Sequence, residues 1–507
     1  MLDRGVRGAF DAAMAARVQP VVVIGAGMGG LVAAALLAAR GREVTVLERA
    51  ARPGGKIREV TVDGVAVGAG PVLLTLRPVF EEIFAAAGTA LSDHLSLRPQ
   101  ALLGRHAWAD GARLDLPAEA EAAAAAVGAF AGAEAARGYR AFRERARRIH
   151  DALEGPFLRA QRPGALTLAA QAGMRGLLGA SPFTSLWDAL GEHFPQPRLR
   201  QVFARVATYV GSSPLQAPAT LMLVAHVELQ GLWAVEGGML RLAEALEALA
   251  RARGAGFRYG AEVREILVSG GRASGVRLAD GETLSAGAVV LNGEGAGLAA
   301  GRFGHAAAGA VERLAPERRS FSAVTWALHA ATEGTAPAAQ TVVHADDPTA
   351  EYAEIGYRAR LPATPTVTLW AHDRMDGAPP PGGPERLLAM VNAPARADLR
   401  PLPEEAIARC GEAAFERLRR AGFVVHRNPA AEVVTTPTTF DRLFPGAGGA
   451  LYGPAVHGWQ SAFSRPGART KLPGLYLAGG SAHPGAGVAM AAMSGRLAAA
   501  RVIEDRG

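Results

Sequence analysis

Between Val21 and Lys56 the chain reads VVVIGAGMGGLVAAALLAARGREVTVLERAARPGGK: a short apolar run, a cluster of glycines, an Ala/Leu-rich run, and a second short apolar run that ends on an acid. Few folds accept that order. Val21 to Ile24 has the length and β-branching of a buried parallel strand, and Gly25, Gly27 and Gly30 supply the G-x-G-x-x-G turn that opens a helix. The three glycines have separate tasks: a tight turn, close backbone approach to a pyrophosphate, and close packing of helix on strand. Ala26, Met28 and Gly29 complete the cradle, where free N–H groups and the helix dipole favour negative charge. Leu31 to Arg40 continues the helix, Gly41 stops it, and Glu43 to Leu47 is the second strand. Glu48 follows eighteen residues after Gly30, where two acceptor oxygens suit a ribose diol.

The run Val21 to Ala39 is uncharged and long enough to suggest a membrane span, and Gly25 and Gly29 form a GxxxG pair. Glycines crowded at its middle and the following VTVLE strand fit a strand-turn-helix instead. Arg49 and the extension Arg52-Pro53-Gly54-Gly55-Lys56 narrow the unit further, since pyridine-nucleotide enzymes have no particular need of them. The stretch points to a flavoprotein.

At 507 residues the chain exceeds what one hydrophobic core usually serves, so two or more domains are expected. Cys410 is the only cysteine, which excludes internal disulfides and thiolate-rich metal sites and fits a reducing, cytoplasmic setting. The first twenty residues lack a secretory h-region and read as a frayed extension. The formal charge of +7 is carried almost wholly by arginine. That balance suits an anionic membrane surface, whereas no nucleic-acid-binding motif accompanies it, so no nucleic-acid partner is expected.

Dinucleotide signals recur far along the chain. Glu236-Gly237-Gly238-Met239 precedes an amphipathic helix, Leu240 to Arg253, then strands at Phe257–Tyr259, Val263–Val268, Ala273–Leu278 and Ala288–Asn292. Near the C-terminus, Gly474 to Gly480 reads as a strand and a glycine turn, and Ser481 to Gly487 leads into a small-residue helix, Val488 to Glu504. The expected fold class is α/β: a Rossmann-like nucleotide-binding domain assembled from residues 18–100, 230–300 and 426–507. Residues 101–229 are expected to form a helical cap, and residues 301–425, with strand-like runs at Ala323–Leu328 and Thr366–Ala371 and a loop at Gly377–Pro384, a mixed-sheet substrate domain. The helix beginning at Val488-Ala489-Met490 could aim free N–H groups at the negative edge of a reduced flavin, and Gly479 and Gly480 would let the backbone pass close to its chain and phosphates.

The ends of the chain resemble the phytoene-desaturase family of carotenoid flavoenzymes, in the same fold group as the flavin amine oxidases. Gly70-Pro71 with Thr75-Leu76-Arg77, Tyr209-Val210-Gly211-Ser212-Ser213-Pro214, Val235-Glu236-Gly237-Gly238-Met239 and Gly479-Gly480-Ser481-Ala482-His483-Pro484-Gly485 are similar to the branch acting on 1-hydroxy carotenoids, the hydroxyneurosporene (methoxyneurosporene) desaturases. The resemblance covers nearly the whole length. It implies non-covalent FAD held by the glycine cradle, Glu48, Arg49, Gly55, Lys56, Gly70, Pro71, Val263, Asn292, Gly479, Gly480 and the start of the last helix. It further implies an acyclic hydroxylated or methoxylated carotenoid as substrate, a C3–C4 double bond as product, and a quinone or oxygen as terminal electron acceptor. Two departures stand out: Gly68, just before the Gly-Pro where relatives often carry an acid, and Gly480, where an Asp is common.

Loss of hydride from a carbon beside a polyene leaves a delocalised cation, so alignment and water exclusion are required more than a strong base. Three side chains are catalytic candidates. His483 lies in the flavin-proximal loop, where contact with the ring, receipt of a proton and a structural role are all open. Glu228 and Glu236 flank the apolar stretch Leu229 to Val235, which could line a substrate tunnel, and either could meet a 1-hydroxyl or serve as a surface or capping carboxylate. The remaining histidines lack metal-ligand spacing, so no metal is expected. Arg137 to His150, with Tyr139, Phe142, Ala146 and Ile149 along one stripe, and the apolar segment Leu166 to Leu190 could dock the protein peripherally on the inner membrane face; the first could equally pack on the cap. A desaturase or isomerase of another polyene, a flavin amine oxidase, and a non-catalytic flavin or lipid carrier remain open alternatives.

Overall fold

The computed structural model describes residues 20–506 except 165, 169, 172–180 and 376–380. Residues 18 and 19, much of the Leu166–Leu190 segment and part of the Gly377–Pro384 loop lie outside that set, as does the N-terminal extension.

Three separated stretches of sequence build one parallel sheet in the order Leu475–Leu477, Ala288–Leu291, Val21–Ile24, Val44–Glu48 and Gly256–Tyr259. The chain reverses direction of travel on either side of Val21–Ile24, and such a switch point opens a crevice at the C-terminal ends of the strands. The helix Met28–Ala38 leaves from there, and all eleven of its residues are buried. It packs between Leu240–Ala252 and Val488–Arg506, which explains why it carries no charge and resembles a membrane segment in composition. Among the described residues no helix is long and apolar enough to cross a membrane. An antiparallel ribbon, Val263–Ser269, Arg272–Leu278 and Thr283–Ser285, flanks the sheet.

The second sheet has seven strands, ordered Val433–Thr435, Ser322–Ala330, Glu385–Ala393, Val367–Ala371, Gln340–Val343, Leu102–Ala107 and Arg113–Pro117. Its two edges correct the expected boundaries. Leu102–Ala107 pairs parallel with Gln340–Val343, so the start of the expected cap, 101–117, belongs to this sheet. Val433–Thr435 pairs with Ser322–Ala330, so part of 426–507 does too. Helical cap structure begins at Ala120.

The helix Ala133–Leu153 confirms the apolar stripe but not a membrane-facing role for it. Tyr139, Phe142, Ala146 and Ile149 are all buried. Phe142 meets Phe194 edge-on with centroids 5.5 Å apart and lies 4.9 Å from Phe203. The opposite face is neutralised by ion pairs such as Arg140–Glu121 and Arg147–Asp151. The stripe thus anchors the cap to its own core.

Candidate active site

The crevice is built mostly from backbone. Gly25 has φ +96°, and a Cβ there would come within 2.6 Å of the Asn292 carbonyl oxygen. A Cβ on Gly27 would meet Asn292 Oδ1 at 2.6 Å, one on Gly29 would meet Gly479 N at 2.6 Å, and one on Gly30 would meet Gly25 O at 2.1 Å. Asn292 is the staple of the assembly. Its N–H donates to Ile24 O at 2.8 Å and its Nδ2 donates to Ala478 O at 3.1 Å. Gly479 N–H then donates to Ser494 Oγ at 3.1 Å, and a Cβ on Gly495 would sit 2.2 Å from Gly29 O. At these glycines a side chain is excluded by distance alone.

Glu48 closes the turn from below: its carboxylate accepts from Ala26 N–H at 2.7 Å and from Ala50 N–H at 2.8 Å. Two oxygens offer about four acceptor sites, so capacity for a diol remains. Arg49 is exposed and reaches the Arg442 carbonyl. Gly54 N–H donates to Ala26 O at 2.9 Å, and a Cβ on Gly55 would lie 3.1 Å from Gly27 Cα. The Gly-Gly pair is therefore there to let this loop lie on the glycine turn. Lys56 Nζ donates to Glu294 Oε1 at 2.8 Å and to Leu451 O at 2.7 Å. A Cβ on Gly70 would be 2.0 Å from Lys56 O. Pro71 and Glu236 line a separate cleft of about 240 Å³. Val263 is buried in the apolar cluster with Ile24 and Leu47, close to Glu48 through the Ala261 N–H that donates to Glu48 O.

A cradle that side chains would fill, anion-seeking N–H groups at a helix start and a carboxylate at the second strand together fit a flavin dinucleotide. Both sequence departures have a local account. The imidazole of His372 occupies the space beside Gly68, where a Cβ would meet its Cε1 at 2.8 Å, and its Nε2 hydrogen-bonds Gly68 O at 3.2 Å. Burial pushes His372 down to about 4, so its neutral ring fills the place where an acid would stand. Beside Gly480, Arg465 donates from Nη1 to Gly480 O at 2.7 Å and from Nη2 to Pro454 O at 2.9 Å. Burial lowers Arg465 to about 10, which leaves it charged near neutrality. Arg465 and Glu294 were not singled out from sequence. For Glu294 the usable signal was its place two residues after Asn292, while Arg465 had none.

His483 is 2% exposed, and its Nε2 lies 2.9 Å from Phe157 O and 3.1 Å from Ala160 O. Burial lowers it to about 4, so it is a neutral clamp between the loop and the cap with an unpartnered Nδ1. Val488, Ala489 and Met490 open the last helix, with Ala489 buried and its neighbours half-buried.

The two glutamates part company. Glu236 is exposed and pairs with Arg98 at 3.2 Å. Glu228 is buried between cap and sheet, where Arg205 Nη2 donates to both carboxylate oxygens at 2.9 Å and Tyr209 hydroxyl lies 3.3 Å away. Gln340 Nε2 donates to Tyr209 at 2.8 Å, and His106 and His344 share a 3.1 Å hydrogen bond nearby. Burial lowers His344 to about 3. Of Leu229 to Val235, the residues Trp233–Val235 form a strand paired with Leu97–Pro99. Spacing gave no hint that His150, Asp151 and His226 converge, yet their potential ligand atoms lie within 4.8 Å of one another.

The family model for flavin containing amine oxidoreductases matches residues 28–503. The hydroxyneurosporene desaturase of Rubrivivax gelatinosus is 49% identical over 487 residues, 95% of this chain and 93% of that protein. That of Cereibacter sphaeroides is 45% identical over 490 residues, 96% of this chain and 98% of that protein. Among solved structures, an oxidoreductase from Methanosarcina mazei shares the fold with a TM-score of 0.60 at 17% identity, covering 96% of this chain and 100% of that one. With its crevice assembled from three distant segments and near-full-length likeness to these proteins, the chain belongs to the flavin-containing amine oxidoreductase family, on its carotenoid-desaturase branch.

Proposed function

We propose that this protein is an FAD-dependent desaturase that introduces the C3–C4 double bond into a 1-hydroxy or 1-methoxy acyclic carotenoid. The observation that carries the reading is identity of 41–49% to three hydroxyneurosporene desaturases over nearly the whole chain. The crevice supports the cofactor. FAD, when bound without a covalent link, supplies the two-electron acceptor for a hydride. The glycine-turn N–H groups would hold its diphosphate, Glu48 its ribose, and Lys56, Arg465 and the start of the Val488–Arg506 helix would place positive potential beside the ring.

The substrate gives up a hydride from one carbon and a proton from its neighbour, and the electron pair left behind becomes the new double bond. Buried side chains between sheet and cap orient the chain and exclude water. His483 is held neutral by burial and shared between two carbonyls, so we assign it to holding the loop rather than to taking the proton. Glu228 is bound on both oxygens by Arg205 and Glu236 is exposed, so neither serves as base in this reading.

Delivery of a carotenoid requires contact with lipid. Exposed Phe183 and Trp459, with rings 5.8 Å apart, and exposed Leu166 support a peripheral membrane surface here, in place of the buried stripe of Ala133–Leu153. On this reading the protein works on the cytoplasmic side of the membrane and passes electrons on to a quinone or oxygen.

The test is anaerobic absorbance of the FAD-reconstituted protein in liposomes carrying a 1-hydroxy carotenoid. Flavin bleaching with a red shift of the polyene bands is expected. An oxidised flavin beside an unchanged, demonstrably bound carotenoid would overturn the assignment.

A further inference from the structure

An acyclic polyene repeats nearly the same unit along its length, so an apolar tunnel by itself cannot distinguish one register from the next. A polar atom at the end of the chain removes that degeneracy, provided the protein offers it a partner. The chamber between sheet and cap contains such a partner. Arg205 is 6% exposed, stacks on the Tyr209 ring with 5.1 Å to its centroid, and spends Nη2 on Glu228. Its Nε and Nη1 are buried with no acceptor among the described residues. Arg205 lines a cavity of about 30 Å³ together with Trp187, Thr368, Met390 and Asn392, enough room for one oxygen function.

We propose that Arg205 is the specificity-determining residue that receives the oxygen on the terminal carbon of the polyene, donating to a lone pair from a guanidinium N–H that Glu228 leaves free. The inference rests on the carotenoid reading above. Arg205 opens the segment Arg205–Val210, which ends at Gly211, where a Cβ would meet Tyr452 Cδ2 at 2.5 Å. Tyr452 follows Leu451, whose carbonyl accepts from Lys56. The chamber is therefore joined to the cofactor end by a continuous run of contacts. Glu228 serves to hold the guanidinium, with both oxygens occupied. Recognition by donors alone has a chemical consequence: a hydroxyl and a methyl ether both present lone pairs and are both accepted, whereas a hydrocarbon end leaves buried donors unmet.

The test compares three acyclic carotenoids of equal conjugation length that end in a tertiary hydroxyl, its methyl ether or a hydrocarbon. Wild type is expected to turn over the first two with similar kcat/KM and to reject the third by about 100-fold or more. Arg205→Met should bring that ratio below about 10-fold, and Arg205→Lys should recover part of it. Retained discrimination in Arg205→Met overturns the proposal, as does a wild type that takes the hydroxyl but rejects the ether. If Arg205→Met fails to fold, the double variant Arg205→Met/Glu228→Leu, which leaves no unpaired carboxylate, replaces it. Should wild type turn over none of the three, the desaturase reading fails, and binding followed by quenching of tryptophan, with Trp187 in the chamber wall, decides separately. Tighter binding of the two oxygenated ends then sustains the role of Arg205, and equal affinities overturn it.

Discussion

The crevice at Gly25–Gly30 and the chamber around Arg205 solve opposite problems with opposite materials. In the crevice the working groups are main-chain N–H groups, and a Cβ on Gly25, Gly29 or Gly30 would collide with backbone at 2.1 to 2.6 Å, while one on Gly27 would meet the Asn292 side chain at 2.6 Å. In the chamber the working groups are side chains, Arg205, Tyr209, Glu228, Gln340 and His344, drawn from cap and sheet and hydrogen-bonded in chains. On the proposed function, a cofactor with fixed phosphates would be met by fixed backbone. A ligand recognised at one atom is met by a buried charge whose partners hold it in place.

The largest expected effect breaks the crevice. Gly30→Ala puts a methyl 2.1 Å from Gly25 O, and neither backbone can yield. The expected cost is at or above the roughly 3 kcal/mol upper range of ordinary overpacking, with loss of bound flavin. Flavin content and thermal unfolding of the purified variant check it; full flavin occupancy would contradict the crevice reading.

Next comes the chamber. Glu228→Ala leaves the Arg205 guanidinium buried without its partner and should cost about 3–5 kcal/mol in denaturant unfolding. Removing both charges with Arg205→Met/Glu228→Leu should return most of that loss. If the double variant is as unstable as Glu228→Ala, packing and not charge holds the chamber.

Acid should weaken both regions together. Burial lowers His226, His372, His457 and His483 to about 4 and His344 to about 3. The unfolded chain takes up protons near pH 6.5 that these folded histidines refuse, so their stability contribution is full above that pH and is lost as pH falls towards 4. Glu351, raised to about 7 by burial, works the other way: its contribution is full below about 4.5 and lost as pH rises through 7. Five groups against one make the unfolding temperature fall between pH 6.5 and 4. His344→Asn in the chamber and His483→Asn beside the crevice should each flatten that slope by about one proton. A slope unchanged by both would mean that these histidines are not held neutral.

The smallest effect concerns access. Phe183→Ser/Trp459→Ser should lower partition into anionic liposomes by about 10-fold with flavin content unaltered. Unchanged partition would place the lipid contact elsewhere.

Much of the crevice was legible because its signals are local or repeat a known order. Glycine spacing, Glu48, Asn292 at a strand end and Gly479-Gly480 before a helix each announce themselves within a few residues. The chamber was illegible for the converse reason. Glu228 was visible as a lone acid beside an apolar stretch, but Arg205 looked like any other arginine in an arginine-rich chain, and Gln340 and His344 lie more than a hundred residues away. Amphipathicity also misled in a specific way: the stripe Tyr139, Phe142, Ala146 and Ile149 says that one helix face is covered, and not whether protein or lipid covers it. Edge strands at 102–117 and 433–435 escaped because they are short and pair only with strands far away in sequence.

By itself, the sequence determined that a βαβ glycine turn would form and that distant glycine-rich segments would join it. Backbone sterics and hydrophobic periodicity act over a few residues, so a linear reading captures them. The tertiary structure decided which charges meet: Lys56 with Glu294, Arg205 with Glu228, and Arg465 with two carbonyls. Electrostatic pairing in a low-dielectric interior depends on distance and burial, and neither is written in the order of residues.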